Sequence, residues 1–324
     1  MLVKEITKPI EVQLKEFNVF FKKMMKSDVS LLNLIISYLT RKRGKQIRPA
    51  MVLLSAELCG GISERSYIGA SMVELLHTAT LIHDDVVDES KERRGMASVN
   101  AIWNNKIAVL IGDYLLAKGL LAAIDKEEFG FLKATSHAVR RMSEGELLQI
   151  QKSKDFNINE ATYFRIITDK TASLMAACCE IGAISASDNP DYHKAMKDYG
   201  ELVGTAFQIQ DDIFDYESHS STIGKPVGND LREKKITLPL IYSFSKVSRK
   251  SSKEILTIMK KKKIKKDEIK KIISFVRDNG GIDYSRVKAK EFSSRAVDIL
   301  TIFKESPAKN SLTILSEFVV DRNL

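Results

Sequence analysis

Asp84-Asp85-Val86-Val87-Asp88 and Asp211-Asp212-Ile213-Phe214-Asp215 repeat one pattern: two aspartates, two apolar residues, a third aspartate. On a helix, residues four apart share a face, because the chain turns about 100° per residue. Asp84 then sits beside Asp88, and Asp211 beside Asp215. Like charges placed that way repel unless a cation compensates them. Hard divalent ions with oxygen ligands meet that need, and Mg²⁺ is the usual partner of phosphate-bearing substrates. Two such pairs facing one another would hold a metal-clamped polyphosphate. A single DDxxD on a polar helix is ordinarily solvated surface. Here both copies interrupt apolar sequence, with Leu75, Leu76, Leu81 and Ile82 before the first and Val203, Ala206, Phe207 and Ile209 before the second. Carboxylates embedded in a core face need partners, so the duplication points to a site.

If the aspartates hold metal and polyphosphate, the remaining phosphate charge needs Lys and Arg. Gly44-Lys45-Gln46-Ile47-Arg48-Pro49 reads as a basic turn opening a helix near Ala50. Proline suits a helix start, and the amides there suit an anion. Arg93-Arg94-Gly95 follows the first acidic motif; the guanidinium is the preferred group for forked phosphate contacts. Lys170-Thr171 stands within Asp169-Lys170-Thr171-Ala172-Ser173-Leu174. Gly224-Lys225-Pro226 opens a loop after the second acidic motif, and Lys234-Lys235 closes it. Each basic residue alone reads as surface; the ordered alternation with DDxxD reads as a site for two diphosphates.

The elements that must position these residues are helices. Aliphatic residues recur at helical spacing almost throughout, as in Leu31, Leu34, Ile35, Tyr38 and Leu39, while alternating strand patterns are rare. The 6 prolines fall where helices would start or stop, and no Gly/Ser/Pro-rich linker divides the 324 residues. One all-α domain spanning residues 1–324 is expected. Cys59, Cys178 and Cys179 show neither metal-site spacing nor a disulfide framework and are expected to be small buried residues in a reducing compartment. No N-terminal stretch resembles a signal peptide, and no run is expected to reach the ~18 apolar residues of a spanning helix. A cytoplasmic protein is expected. The net charge of +9 comes from residues 246–290, where 16 Lys/Arg face 5 Asp/Glu. That segment includes Lys260-Lys261-Lys262-Lys263 and few aromatics. It reads as a solvated helix face, with attraction to an anionic membrane as the second reading; nucleic-acid motifs are absent.

The series GKQIRP, LLHTATLIHDDVVDESKERRG, GDYLLAKG, GELLQIQ, DKTASL, FQIQDDIFDY and GKPVGNDLREKKITLPL resembles the trans-type polyprenyl diphosphate synthases, and most of all the bacterial long-chain members of the octaprenyl kind. The motifs span residues 44–240 in family order. The resemblance implies a bundle of long helices around a deep central cavity, the isoprenoid synthase type, usually as a homodimer. It implies that Asp84, Asp88 and Asp211 bind Mg²⁺, with Asp212 and Asp215 in support. Arg93, Lys170, Thr171, Gln208, Lys225 and Lys235 would contact the allylic diphosphate. Lys45, Arg48, His77 and Arg94 would form the metal-poor pocket for isopentenyl diphosphate. A lone His beside apolar residues is ordinarily structural, but His77 precedes Asp84 by about two helical turns and so shares its face. His83 has no such support and is left unassigned. Positions four and five before the first motif line the tail cavity in this family; here they are the small Thr80 and Ala79, with Leu76 a turn further back.

The implied reaction is sequential head-to-tail condensation of isopentenyl diphosphate onto an allylic diphosphate, with Asp84, Asp88, Asp211, Lys170 and Lys225 as catalytic residues. Octaprenyl or heptaprenyl diphosphate, destined for a quinone side chain, is the expected product, and its release implies peripheral membrane contact. Three other readings compete: a shorter-chain (geranylgeranyl or farnesyl) synthase, a terpene cyclase, and a noncatalytic partner subunit. A cyclase would carry a different second metal motif and would not need Lys45 and Arg48. A noncatalytic subunit typically lacks a metal motif, whereas this chain keeps both.

Overall fold

Proline, capping residues and apolar periodicity divide the chain into helices much as the sequence suggests. In a computed structural model, which describes residues 2–41, 46–93, 95–156, 158–217 and 228–321, the order begins with α1 (Leu2–Thr7), α2 (Glu11–Met24), α3 (Ser30–Arg41), α4 (Ile47–Cys59) and α5 (Glu64–Val87). A two-residue antiparallel hairpin, β1 (Glu92–Arg93) and β2 (Met96–Ala97), follows. Then come α6 (Val99–Trp103), α7 (Asn105–Ile124), α8 (Phe129–Asp155), α9 (Glu160–Ile167), α10 (Ser173–Ala186) and α11 (Pro190–Glu217). The C-terminal helices are α12 (Asn229–Arg232), α13 (Leu238–Ser245), α14 (Arg249–Met259), α15 (Lys266–Asp278), α16 (Gly281–Ile299) and α17 (Pro307–Asp321). The all-α expectation is met.

Pro190 and Pro307 each open a helix, and Pro239 sits in the first turn of α13. Pro226 lies outside the described residues. α4 starts at Ile47 rather than near Ala50, so Pro49 is its third residue. The first turn has no intrahelical acceptors for its N–H groups, so proline is tolerated anywhere within it.

The helices pack into two compact units: residues 1–136, 177–197 and 302–312, and residues 137–176, 198–301 and 313–324. In the first unit, Leu75, Ala79 and Ile82 on α5 follow helical spacing and pack with Ile35, Val99, Ile111 and Leu115. In the second, Ile209, Ile213 and Tyr216 on α11 pack with Leu238 and Leu240 of α13 and with Ile269, Ile272 and Val276 of α15. Every one of these α11 and α13 side chains is almost completely buried. Each unit thus anchors one acidic helix by its apolar stripe. Asp84, Asp88, Asp211 and Asp215 occupy the helix faces the stripe leaves over, whereas Asp85 and Asp212 are buried.

The cysteines are free and buried, and burial pushes the Cys59 and Cys178 thiols up to about 12. The hydropathy expectation needs correction. Among the described residues, α7 is long and apolar enough to cross a membrane, with a mean hydropathy of 1.9. Asp113 and Lys118 interrupt the run without lowering its mean much, which hides it from a search for unbroken apolar sequence. α7 buries Ala108, Ile111 and Leu115 in the first unit's core.

Candidate active site

The first acidic motif forms the last turn of α5. Asp88 is its C-cap, and its N–H donates to the Asp84 carbonyl at 2.8 Å. A helix C-terminus carries partial negative charge, so aspartates there need compensating positive charge. Asp84 and Asp88 are exposed, as their shared face requires, whereas Asp85 is only 4% exposed. The β1–β2 hairpin brings Arg93 back over this turn, and its Nε donates to Asp85 Oδ1 at 2.6 Å. Burial raises the Asp85 pKa, while Arg93 opposes the shift. Asn100 Nδ2 donates to the Asp85 carbonyl at 3.2 Å, completing the support.

His77, Asp85, Arg93 and Gln46 line a cavity of about 140 Å³ with apolar walls from Phe17 and Phe21. His77 is nearly buried. Arg48 stands in the first turn of α4. Lys45 and Arg94, expected beside them, lie outside the described residues. His83 has a structural place: its Nε2 is 3.3 Å from the Val109 carbonyl and 3.5 Å from Asp113, both on α7. Leu76 and Ala79 are buried, and the Thr80 hydroxyl donates to the His77 carbonyl at 3.0 Å.

The second unit holds a polar cavity of about 80 Å³ lined by Lys170, Thr171, Gln208, Asp212, Asp230 and Lys235. Lys170 and Thr171 ride on a π-helical turn, Thr168–Ala172, between α9 and α10; such bulges mark functional sites. Lys170 Nζ donates to Gln149 Oε1 at 2.9 Å and pairs with Glu146. The Thr171 hydroxyl donates to Gln208 Oε1 at 3.0 Å, and Gln208 Nε2 donates to Asp212 Oδ1 at 2.8 Å. The other Asp212 oxygen accepts from the Tyr163 hydroxyl at 2.7 Å. One chain of hydrogen bonds therefore joins Thr171, Gln208 and Asp212, three residues the sequence singles out, to Tyr163.

The three aspartates of this motif are not equivalent. Burial, then the neighbouring Asp230 and Asp211 charges, push Asp212 up to about 8. Burial and Asp230 push Asp215 up to about 6. Asp215 receives the Asn229 and Asp230 N–H groups at 2.8 and 3.1 Å, so it caps α12. Asp211 is half-buried beside them. Lys235 reaches Asp230 at 3.6 Å and Glu233 at 2.6 Å. Burial works against its charge, but Glu233 and Asp230 outweigh it and hold the ammonium well above its usual range. Lys225 lies outside the described residues.

Burial first, and neighbouring carboxylates second, disfavour the charged form of Asp212 and Asp215, a cost that a nearby cation would offset. Among the described residues no three His, Cys, Asp or Glu side chains are preassembled as a metal cage. Sequence reasoning missed Asp230, Tyr163, Glu146 and Gln149. Glu146 and Gln149 stand in GELLQIQ and Asp230 in GNDLREKK, both motifs quoted without a role for these residues. Tyr163 gives no local signal.

Cavities lined by cations and set beside a duplicated acidic motif define a helical protein that handles phosphorylated ligands. Comparison with known proteins sharpens this. The polyprenyl synthetase family model matches residues 29–276. The octaprenyl diphosphate synthase of Haemophilus influenzae is 35% identical over 100% of this chain and 98% of its own. The all-trans-nonaprenyl-diphosphate synthase (geranyl-diphosphate specific) of Rhodobacter capsulatus is 35% identical over 98% of this chain and 97% of its own. A crystal structure of polyprenyl synthase from Caulobacter crescentus, complexed with calcium and isoprenyl diphosphate, is 32% identical with a TM-score of 0.89, covering 99% of this chain and 98% of that one. The chain belongs to the polyprenyl synthetase family, and it is a prenyltransferase.

Proposed function

We propose that this polyprenyl diphosphate synthase makes a long product, octaprenyl or heptaprenyl diphosphate, by adding isopentenyl diphosphate repeatedly to an allylic diphosphate. The observation that carries the site assignment is the cluster of Lys170, Thr171, Gln208, Asp212 and Lys235 around one polar cavity. Relatives named for octaprenyl and nonaprenyl products support the long chain.

Asp84, Asp88 and Asp211 are the proposed Mg²⁺ ligands, with Asp212 and Asp215 in support. When bound, the metal supplies positive charge that stabilises a departing diphosphate. Lys170, Thr171, Gln208 and Lys235 hold and orient the allylic diphosphate, joined by Arg93 and by Lys225. Arg48 and His77, with Lys45 and Arg94, hold isopentenyl diphosphate. As the allylic C–O bond breaks, these fixed donors meet charge that develops on diphosphate oxygen. The double bond of isopentenyl diphosphate attacks the carbocation, a C–C bond forms, and a proton leaves to the released diphosphate. Apolar walls exclude the water that would quench the cation.

The proposal extends to a homodimer in the cytoplasm. On α7, Leu110, Leu121 and Ile124 are 54%, 52% and 48% exposed, and they lie on one face that a second copy would cover. Residues 246–290 supply the cationic surface for peripheral membrane contact. Chromatography of radiolabelled products after dephosphorylation tests the reading. A ladder ending at seven or eight isoprene units supports it, whereas farnesyl or geranylgeranyl end products would replace the long-chain assignment.

A further inference from the structure

The π-helical turn that carries Lys170 and Thr171 is held by two helices with matching stripes. On α8, Arg141, Gly145 and Gln149 recur every four residues on one face; on α11, Glu201, Gly204 and Gln208 do the same at three and four. Each stripe has a charged tier, a glycine tier and an amide tier.

The amide tier touches the functional residues: Gln149 accepts from Lys170 and Gln208 from Thr171. The glycine tier sets how closely the turn can sit. A Cβ on Gly145 would stand 2.8 Å from the Lys170 backbone nitrogen, and one on Gly204 would stand 2.6 Å from the Ala172 Cα. Both distances are to backbone, which cannot swing aside. The charged tier closes the far end. Arg141 Nε donates to Asp169 Oδ1 at 2.7 Å, and its Nη1 donates to Glu201. Arg141 and Asp169 are only 25% and 15% exposed. Arg165 comes no nearer to Asp169 than 3.7 Å and is itself 67% exposed, so it does not replace this bridge.

A π bulge shifts the residues it carries relative to the regular helix on either side. Its geometry therefore has to be fixed from outside. We infer that Arg141 is a positioning residue for the allylic diphosphate. By bridging Asp169 and Glu201 across a turn seated on Gly145 and Gly204, it sets the direction in which Lys170 and Thr171 are presented. The inference rests on the proposed assignment of the Lys170 cavity to that substrate. It gives the Gly145 of GELLQIQ, and the Asp169 of DKTASL, a physical role.

The test is steady-state kinetics and thermal unfolding on the full-length enzyme with each substrate varied in turn. Arg141→Gln is expected to raise the KM for the allylic diphosphate by about ten-fold or more, the scale of one lost charge-assisted contact. The KM for isopentenyl diphosphate should move by less than about two-fold in the same variant. Arg141→Lys should recover part of the loss, since an ammonium keeps the charge but lacks the planar fork. Gly204→Ala should reproduce the Arg141→Gln phenotype; if it fails to fold, Glu201→Gln takes its place. Arg65→Gln, which removes an ion pair with Glu128 in the first unit, should lower the melting temperature without changing either KM. Equal rises in both KM values for Arg141→Gln, or a lower melting temperature with unchanged kinetics, would overturn the inference. A wild-type enzyme that does not consume the two diphosphates would refute the functional reading instead, so the two failures are distinguishable.

Discussion

Asp84 and Asp85 are adjacent in sequence and have opposite fates: one exposed, one buried against Arg93. The second motif divides differently, with Asp212 held by Tyr163 and Gln208 and Asp215 spent on capping α12. Substitutions should therefore separate metal ligands from scaffold. Asp84→Ala or Asp211→Ala should cut turnover by orders of magnitude at limiting Mg²⁺ and leave the helical circular dichroism spectrum intact. Near-wild-type turnover of either variant would remove it from the metal site. Asp215→Ala should also cost about 1 kcal/mol of stability, the usual scale of a lost helix cap, read as a lower urea midpoint; an unchanged midpoint would contradict the capping role. Arg93→Ala should weaken allylic substrate by about ten- to a hundred-fold, equivalent to ~1.5–3 kcal/mol. It should also destabilise the fold by leaving Asp85 buried without its cation. If KM rises while the urea midpoint stays fixed, the Asp85 pair contributes nothing to folding.

At the scale of elements, α5 joins three tasks along its length. His77 lines the cavity of the first unit, Asp84 and Asp88 end the helix, and Ala79 packs into the apolar cluster. A turn of helix rises about 5 Å, comparable to one isoprene unit, so a small side chain at that level leaves room for a longer tail. Ala79→Phe is expected to shift the main product to a shorter chain while isopentenyl diphosphate is still consumed. An unchanged product ladder from a folded, active variant would mean that Ala79 serves helix packing and that another element sets the length. Because Ala79 is only 1% exposed, melting temperature must be measured alongside, and Ala79→Leu offers a smaller perturbation with the same expected direction.

At the scale of the whole molecule, two surfaces remain for partners. Replacing Leu110 and Leu121 with Glu should turn a sedimenting dimer into a monomer if α7 forms the proposed interface; a wild-type monomer at micromolar concentration would refute it. The lysines between 260 and 266 are exposed on a turn whose flanking helices already bury their apolar faces in the core. Insertion into lipid is thus unavailable to those faces, and any attraction is electrostatic, about 1 kcal/mol per lysine near an anionic surface. The protein should co-sediment with vesicles containing anionic lipid and not with neutral ones. The binding should vanish at ~1 M salt, where the screening length falls to ~3 Å. Equal binding to neutral vesicles would exclude this mechanism.

Chemistry and helical class were legible in one dimension. Paired aspartates at helical spacing, ordered basic motifs and sustained apolar periodicity are local patterns, and local patterns survive without coordinates. The start of α4 was misplaced because a proline marks a first turn without saying which residue opens it. The hydropathy of α7 was missed because two charges hide a high mean. Tertiary structure alone decided which aspartate in each motif is exposed, which is buried and paired, and which caps a helix. It is the hairpin that returns Arg93 to Asp85, and the fold of the second unit that brings Tyr163, Asp230 and Lys235 to Asp212. It also decided that Lys170 and Thr171 sit on a π turn between two glycine-bearing helices. Those roles depend on residues distant in the chain approaching within hydrogen-bond or van der Waals reach. A one-dimensional pattern records the side chains available for such contacts; only packing chooses among them.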